Sequence, residues 1–214
     1  MSKGLVVAIE GLIGCGKSTL TESLCTMANF VPFNEPVESN PFLEDYYKDP
    51  HRWSYAMQVN LLWERFKMFQ EAHYRSLRGE VCVADRSFYG DLAFGLVQQR
   101  DGYFTDKEFA SYKRMHEAVQ SMLPFPDLIL YLDISPEEVV ERIQKRSRGC
   151  ENGIALDYLR HLDKAYRDVL ECLNGKCKII HIDARQTAYG VFSDAANIIA
   201  DEKEDTEARS IIYR

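Results

Sequence analysis

"GLIGCGKS", residues 11–18, packs three glycines into six positions and follows them with a lysine and a hydroxyl residue, directly behind the apolar run Leu5-Val6-Val7-Ala8-Ile9. Glycine at that density weakens either a helix or a strand, so the stretch serves as bare backbone. It satisfies GxxxxGK[ST] at every fixed position, in the strand-then-helix context that gives the pattern meaning. Across Gly11, Leu12, Ile13, Gly14, Cys15 and Gly16, backbone N–H groups can converge on phosphate oxygens, and the following helix adds its positive end. Lys17 is expected to reach the β- and γ-phosphates and Ser18 to offer its hydroxyl to Mg²⁺, with Thr19 next in the nucleotide-binding set. A glycine-rich turn carrying a surface lysine would leave the full match unexplained. The stretch therefore marks a nucleoside-triphosphate site and leaves the phosphoryl acceptor open.

Outward from this loop, apolar runs alternate with helical patterns. Strands are expected at 5–9, 30–33, 81–84, 128–132 and 179–182, and helices at 17–27, 50–78, 91–99, 106–122, 136–148, 156–173 and 190–200. Short β-branched strands separated by helices read as βαβ units on a parallel sheet covered on both faces. The expectation is a three-layer α/β P-loop fold, a five-stranded parallel sheet flanked by helices, forming one domain over residues 1–214. Ser135-Pro136-Glu137-Glu138 reads as a capped helix start. Asn174-Gly175 reads as a helix stop. The charged tail after Asp201 reads as frayed.

Composition narrows the partners. The chain has 214 residues, a net charge of −7, a pI near 5.3 and 46% apolar residues. An acidic surface argues against a nucleic-acid backbone or an anionic membrane as partner. No run approaches the roughly 20 apolar residues of a membrane span. Met1-Ser2-Lys3-Gly4 runs straight into a strand and leaves no room for a targeting peptide. The cysteines at 15, 25, 82, 150, 172 and 177 form no CxxC pair, which suits thiols in a reducing, cytoplasmic compartment.

Phosphoryl transfer to a hydroxyl needs a base, charge neutralisation and exclusion of water. In "NEPVESNPFLEDYYKDP", 34–50, Glu35 lies just past a strand's C-terminal end, where open α/β sheets place ligands. In "VCVADRSFYGD", 81–91, Asp85 and Arg86 end another strand; the acid can hold Mg²⁺ and the arginine can neutralise transferred charge. In "RIQKRSRGCENG", 142–153, Arg142 and Arg146 sit four apart on one helix face, Lys145 and Arg148 add charge, and Gly149 and Gly153 suit a basic lid. Each stretch also has a plainer reading: a solvated loop acid, a structural Asp–Arg pair, a solvated basic face.

The ordered set "GLIGCGKST", "NEPVE", "YYKDP", Gln58, "DRS" and "ERIQKRSRGCE" resembles the deoxynucleoside kinases related to deoxycytidine, deoxyguanosine and deoxyadenosine kinases, over nearly the whole chain. "SNPFLEDYYKDP" and "DRSFYGD" look most like the bacterial and viral deoxyadenosine/deoxyguanosine kinase branch. The resemblance implies 5′-phosphorylation of a deoxynucleoside with ATP and Mg²⁺ in deoxynucleotide salvage. It makes Glu35 the general base and Arg86 its partner on the 5′-hydroxyl. Asp85, shorter than the glutamate usual there, would lie near Mg²⁺. Tyr47 and Glu151 would hold the 3′-hydroxyl, Gln58 the base edge, and Arg142, Arg146 and Arg148 the phosphates.

Gln58 offers a donor and an acceptor side by side, suiting adenine or cytosine. Arg65, two helical turns after Gln58, and Asp91 match an Arg–Asp pair that excludes thymine's methyl group in deoxycytidine-kinase-like members; an ordinary salt bridge is the other reading. Asn40 replaces an aromatic wall, and Phe42, Phe88, Tyr89 and Phe94 are alternative stacking faces, or simply core. Apolar residues along 50–78 and 106–122 suggest a homodimer, or simply core. A nucleoside monophosphate kinase such as thymidylate kinase shares the loop, the DR pair and the basic lid. Glu35 and Gln58 favour a neutral acceptor instead. A non-catalytic relative would be expected to lack Lys17, Ser18, Glu35 or Arg86.

Overall fold

A computed structural model of the chain describes residues 3–35, 37, 39–146 and 154–212. Five parallel strands form one sheet: β1 (Val6–Gly11), β2 (Val31–Phe33), β3 (Cys82–Asp85), β4 (Leu128–Asp133) and β5 (Lys178–Asp183), in spatial order β2-β3-β1-β4-β5. Helices alternate with them: α1 (Lys17–Ala28), α2 (Leu43–Lys48), α3 (Pro50–Ser76), α4 (Phe88–Arg100), α5 (Asp106–Met122), α6 (Pro136–Arg146), α7 (Leu156–Leu173) and α8 (Ala188–Ile212). β1 and the apolar part of β4 are buried along their length, with α1 and α8 on one side of the sheet and α3, α4, α5 and α7 on the other. Covering both faces accounts for the unbroken apolar strands.

Register puts the chemistry at one edge. Ile9 pairs with Asp85 and Phe33 with Ala84. The C-terminal ends of β1, β2 and β3 therefore release Gly11, Glu35 and the Asp85-Arg86 pair side by side. This is the edge at which parallel α/β sheets bind ligands.

Three differences from the sequence expectation go beyond a residue or two at an element's end. α2 was not anticipated; Asn40 turns the chain into it by accepting from the Phe42 N–H, and a Glu44–Lys48 pair at 2.6 Å runs along it. α4 starts at Phe88 rather than 91, because Ser87 caps it by accepting from the Gly90 N–H at 3.2 Å. The tail after Asp201 continues α8 to Ile212 instead of fraying. Glu202 is the anchor: it is buried and ion-paired with Lys178 of β5 at 2.7 Å. The Ser135–Glu138 capping box forms as read, and Gly175 follows α7 at φ 78°.

Candidate active site

Between β1 and α1 the glycines do what the motif demands. Gly11, Gly14 and Gly16 take φ values of 145°, 80° and 111°, a region side-chain-bearing residues avoid. Gly16 is the N-cap of α1 and brings no capping side chain, and the helix's first turn holds no acid. The first N–H groups of α1 thus meet no capping or acidic side chain of its own terminus, as an anion site requires. Lys17 is buried, its Nζ donating to the Leu12 carbonyl at 2.8 Å across the loop.

Ser18 Oγ donates to Asp85 Oδ2 at 2.6 Å. The other oxygen, Asp85 Oδ1, is buried without a hydrogen-bond partner among the described residues. A hydroxyl and a half-satisfied carboxylate side by side fit a Mg²⁺ that keeps most of its water shell. The two residues assigned to the metal from sequence are thus brought together.

Facing this loop is a buried cluster of alternating charge. Glu35 Oε2 accepts from Arg86 Nε at 3.0 Å, and Oε1 accepts from Arg65 Nη2. Arg65 also pairs with Asp91, whose Oδ2 accepts from the Tyr112 hydroxyl at 2.6 Å. The ring of Phe94 lies 4.9 Å from the Arg86 guanidinium and 5.7 Å from that of Arg65. Burial raises the Glu35 carboxyl, but the charges of Arg86, Arg65 and Lys17 outweigh it and hold the group at about 2. Glu35 is therefore ionised at any physiological pH.

Arg86 has a φ of 71° and is pinned on three sides. Its Nη1 donates to the Gly11 carbonyl at 2.9 Å and to the Tyr166 hydroxyl at 2.5 Å, in addition to the Glu35 contact. A residue held in that sparse region marks stored strain, typical of functional sites.

Gln58 is buried beside this cluster. Its Nε2 reaches the Asp91 carbonyl at 3.5 Å, and its Oε1 has no partner among the described residues. A buried amide oxygen left unsatisfied is costly unless a ligand completes it. Tyr47 lies on α2, half exposed, with its ring 5.5 Å from that of Tyr46.

Arg142 donates to the carbonyls of Cys15 and Ala184, at 3.1 and 2.6 Å, and so ties the loop to the β5–α8 connection. A cavity of about 310 Å³ opens there, lined by Gly14, Gly16, Thr19, Arg142, Gln186 and Val191 among others. The side chain of Arg146, and Arg148 and Glu151 entirely, lie outside the described residues.

Some of the alternatives close. Phe88 and Tyr89 are core residues, packed on one another, Phe88 edge-on to Phe69 and Tyr89 stacked on Phe125, not faces for a base. Asn40, which stands in place of an aromatic wall, is buried and spends its amide on the Met57 carbonyl and the Phe42 N–H. The Arg65–Asp91 pair exists, but Arg65 also clamps Glu35, which the sequence did not suggest.

The Deoxynucleoside kinase family model matches residues 7–206. The chain belongs to the deoxynucleoside kinase family. This kinase is 35% identical to the deoxyadenosine kinase of Dictyostelium discoideum over 85% of its own length and 73% of that protein. It is 30% identical to the deoxyadenosine/deoxycytidine kinase of Bacillus subtilis over 92% and 89%. A solved structure of deoxyadenosine kinase from M. mycoides, with products dCMP and a flexible dCDP bound, superposes with a TM-score of 0.82 at 27% identity, covering 92% of this chain and all of that one. The kinase is thus a phosphotransferase of deoxynucleoside salvage with an alcohol acceptor and a nucleotide phosphate donor.

Sequence reading missed Glu10 and Tyr166. Glu10 is buried between Ser87, whose N–H and hydroxyl both donate to it, and the Tyr166 hydroxyl. Burial pushes its carboxyl up, partly offset by Arg86 and the Ser87 donors. Burial also drives the Tyr166 hydroxyl far above its ordinary value, so it stays protonated and able to donate. A carboxylate ending a buried strand was the available signal for Glu10; nothing local marks Tyr166, one apolar-face position of an amphipathic helix.

Proposed function

We propose that the kinase transfers the γ-phosphoryl group of Mg²⁺-ATP to the 5′-hydroxyl of deoxyadenosine, deoxyguanosine or deoxycytidine, and disfavours thymidine. The observation that carries this is the Glu35 carboxylate, held ionised by Arg65 and Arg86 at the strand edge shared with the Ser18–Asp85 pair. The names of the Dictyostelium and Bacillus relatives support the choice of bases.

Glu35 accepts the 5′-hydroxyl proton as the oxygen bonds to the γ-phosphorus and the bond from that phosphorus to the β–γ bridging oxygen breaks, releasing ADP. A carboxyl at about 2 is a weak base, but a loose phosphoryl transfer asks little of the base before bond formation. What matters is an ionised acceptor in place. Arg86 orients Glu35 and stabilises charge on the transferred group. Lys17, the loop N–H groups and Arg142 hold the triphosphate, and Ser18 and Asp85 would hold Mg²⁺, which when bound neutralises β- and γ-phosphate charge. The cavity between Arg142 and Gln186 takes the donor's nucleoside. Gln58 completes its buried oxygen on the exocyclic amine of adenine or cytosine. The Arg65–Asp91 pair, fixed by Tyr112, crowds a 5-methyl group. Tyr47 and Glu151 take the 3′-hydroxyl, and Arg146 and Arg148 close the basic segment 142–153 over the phosphates.

A homodimer and cytoplasmic residence complete the proposal. The dimer rests on family resemblance, since Met57, Leu61, Leu62, Phe66 and Phe69 of α3 are core, while Trp63 and Tyr74 of that helix are about half exposed. Among the described residues no helix is long and apolar enough to cross a membrane. The test is a panel of the four deoxynucleosides and thymidine monophosphate, with and without Mg²⁺-ATP. Turnover is expected with a purine or cytosine deoxynucleoside and only with the metal. Thymidine or its monophosphate as best substrate would overturn the reading.

A further inference from the structure

Glu10 has no part in the mechanism above, yet its carboxylate sits where three pieces of the site meet. It is the last residue before the phosphate loop, on β1. Its Oε1 accepts from the Ser87 N–H at 2.7 Å and the Ser87 hydroxyl at 2.5 Å; its Oε2 accepts from the Tyr166 hydroxyl at 3.0 Å. Tyr166 in turn accepts from Arg86 Nη1 at 2.5 Å, and Arg86 Nε holds Glu35. We infer that Glu10 is a positioning residue for phosphoryl transfer, acting on Glu35 through Ser87, Tyr166 and Arg86.

Three features support this beyond the chain of contacts. First, Arg86 sits at φ 71°. A strained residue persists only where its surroundings over-determine it. Its own N–H is fixed by Ile9, at 3.0 Å, and the next N–H, that of Ser87, is fixed by Glu10. Without Glu10 the second restraint is lost. Second, the carboxylate presses against the first turn of α4. A Cβ on Gly90 would fall 2.5 Å from both Glu10 oxygens, so position 90 has no room for a side chain while Glu10 holds its place. The helix N-terminus favours the carboxylate's charge there. Third, all three donors point at an acceptor. Glutamine would aim an N–H₂ at Ser87 or at Tyr166 and break one branch while keeping the volume.

The inference rests on Glu35 being the acceptor of the 5′-hydroxyl proton. The test measures kcat and both KM values in the full-length chain for E10Q, Y166F, E10Q/Y166F, E35Q and E10Q/E35Q, with folding checked by circular dichroism. E10Q is expected to lower kcat about 10- to 100-fold, the cost of a misplaced reacting group, with both KM values within about threefold. Y166F should act in the same direction, and the two should be far from additive, as members of one chain are. In the E35Q background E10Q should add little. A folded E10Q with wild-type kcat, or losses that simply add, overturns the inference. If E10Q does not fold, Y166F decides: wild-type kcat in that variant is equally fatal. Should E35Q itself keep full turnover, the reading of Glu35 fails, and that outcome is distinct from failure of Glu10 alone.

Discussion

Replacing Glu35 by glutamine is the most informative single perturbation. The side chain is 18% exposed and bridges Arg65 and Arg86. Held from 4.5 down to about 2, the carboxyl favours its ionised form in the folded protein by ~3 kcal/mol. Glutamine approximates the protonated acid, so E35Q should lose stability of that order at pH 7. The sign follows from the lowered value. The contribution is complete above about 4.5 and drains away as pH falls toward about 2, so the two proteins converge in acid. Urea unfolding at pH 7 and at pH 4 and below reads this directly. For catalysis, an amide cannot take the hydroxyl proton, and kcat should fall by about 10²-fold or more. Binding of the nucleoside, which relies on Gln58 and the base pocket, should weaken far less. An E35Q protein with kcat within about threefold of wild type would refute the reasoning.

Other expectations concern the metal, the base and the buried histidines. D85N removes the charge of the half-satisfied carboxylate; the Mg²⁺ concentration for half activity should rise about tenfold with the nucleoside KM little changed, and an unchanged Mg²⁺ curve would remove Asp85 from the metal site. The double variant R65M/D91A should shift the ratio of kcat/KM values toward thymidine by about 10-fold or more, even as loss of the Glu35 clamp slows every substrate; an unmoved ratio would leave the pair a structural salt bridge. Burial holds His73 and His116 below the ordinary histidine value. They fold neutral, so stability should decline as pH falls through about 6.5. Denaturation from pH 7.5 to 5.5 should show this in the wild type and a flatter response in H116Q; identical slopes would count against it.

The sheet was legible because its signals are local. The phosphate loop names itself by spacing, and the unbroken apolar runs of β1, β3 and β4 identify strands covered on both faces, while the edge strands β2 and β5 are only partly buried. Glu35, Asp85 and Arg86 were found because each lies at or just past a strand's C-terminal end, and the parallel register brings strand ends together whatever lies between. Contacts made by side-chain reach across elements were not legible. That Arg65 clamps Glu35 depends on α3 passing the end of β2. That Tyr166 reaches Glu10 depends on how α7 packs against α4. Phe88 and Tyr89 had the right chemistry for base stacking, and only burial shows them to be core. The tail of α8 misled for a related reason: its charge suggests solvent, but one buried ion pair, Lys178–Glu202, holds it to the sheet.

The most direct measurement is a crystal structure with a deoxynucleoside and a non-hydrolysable ATP analogue bound. The account predicts a Glu35 carboxylate oxygen within about 2.6–3.2 Å of the sugar's 5′ oxygen, with Gln58 on the edge of the base. A Glu35 still committed to Arg65 and Arg86 with no sugar oxygen in reach would contradict it.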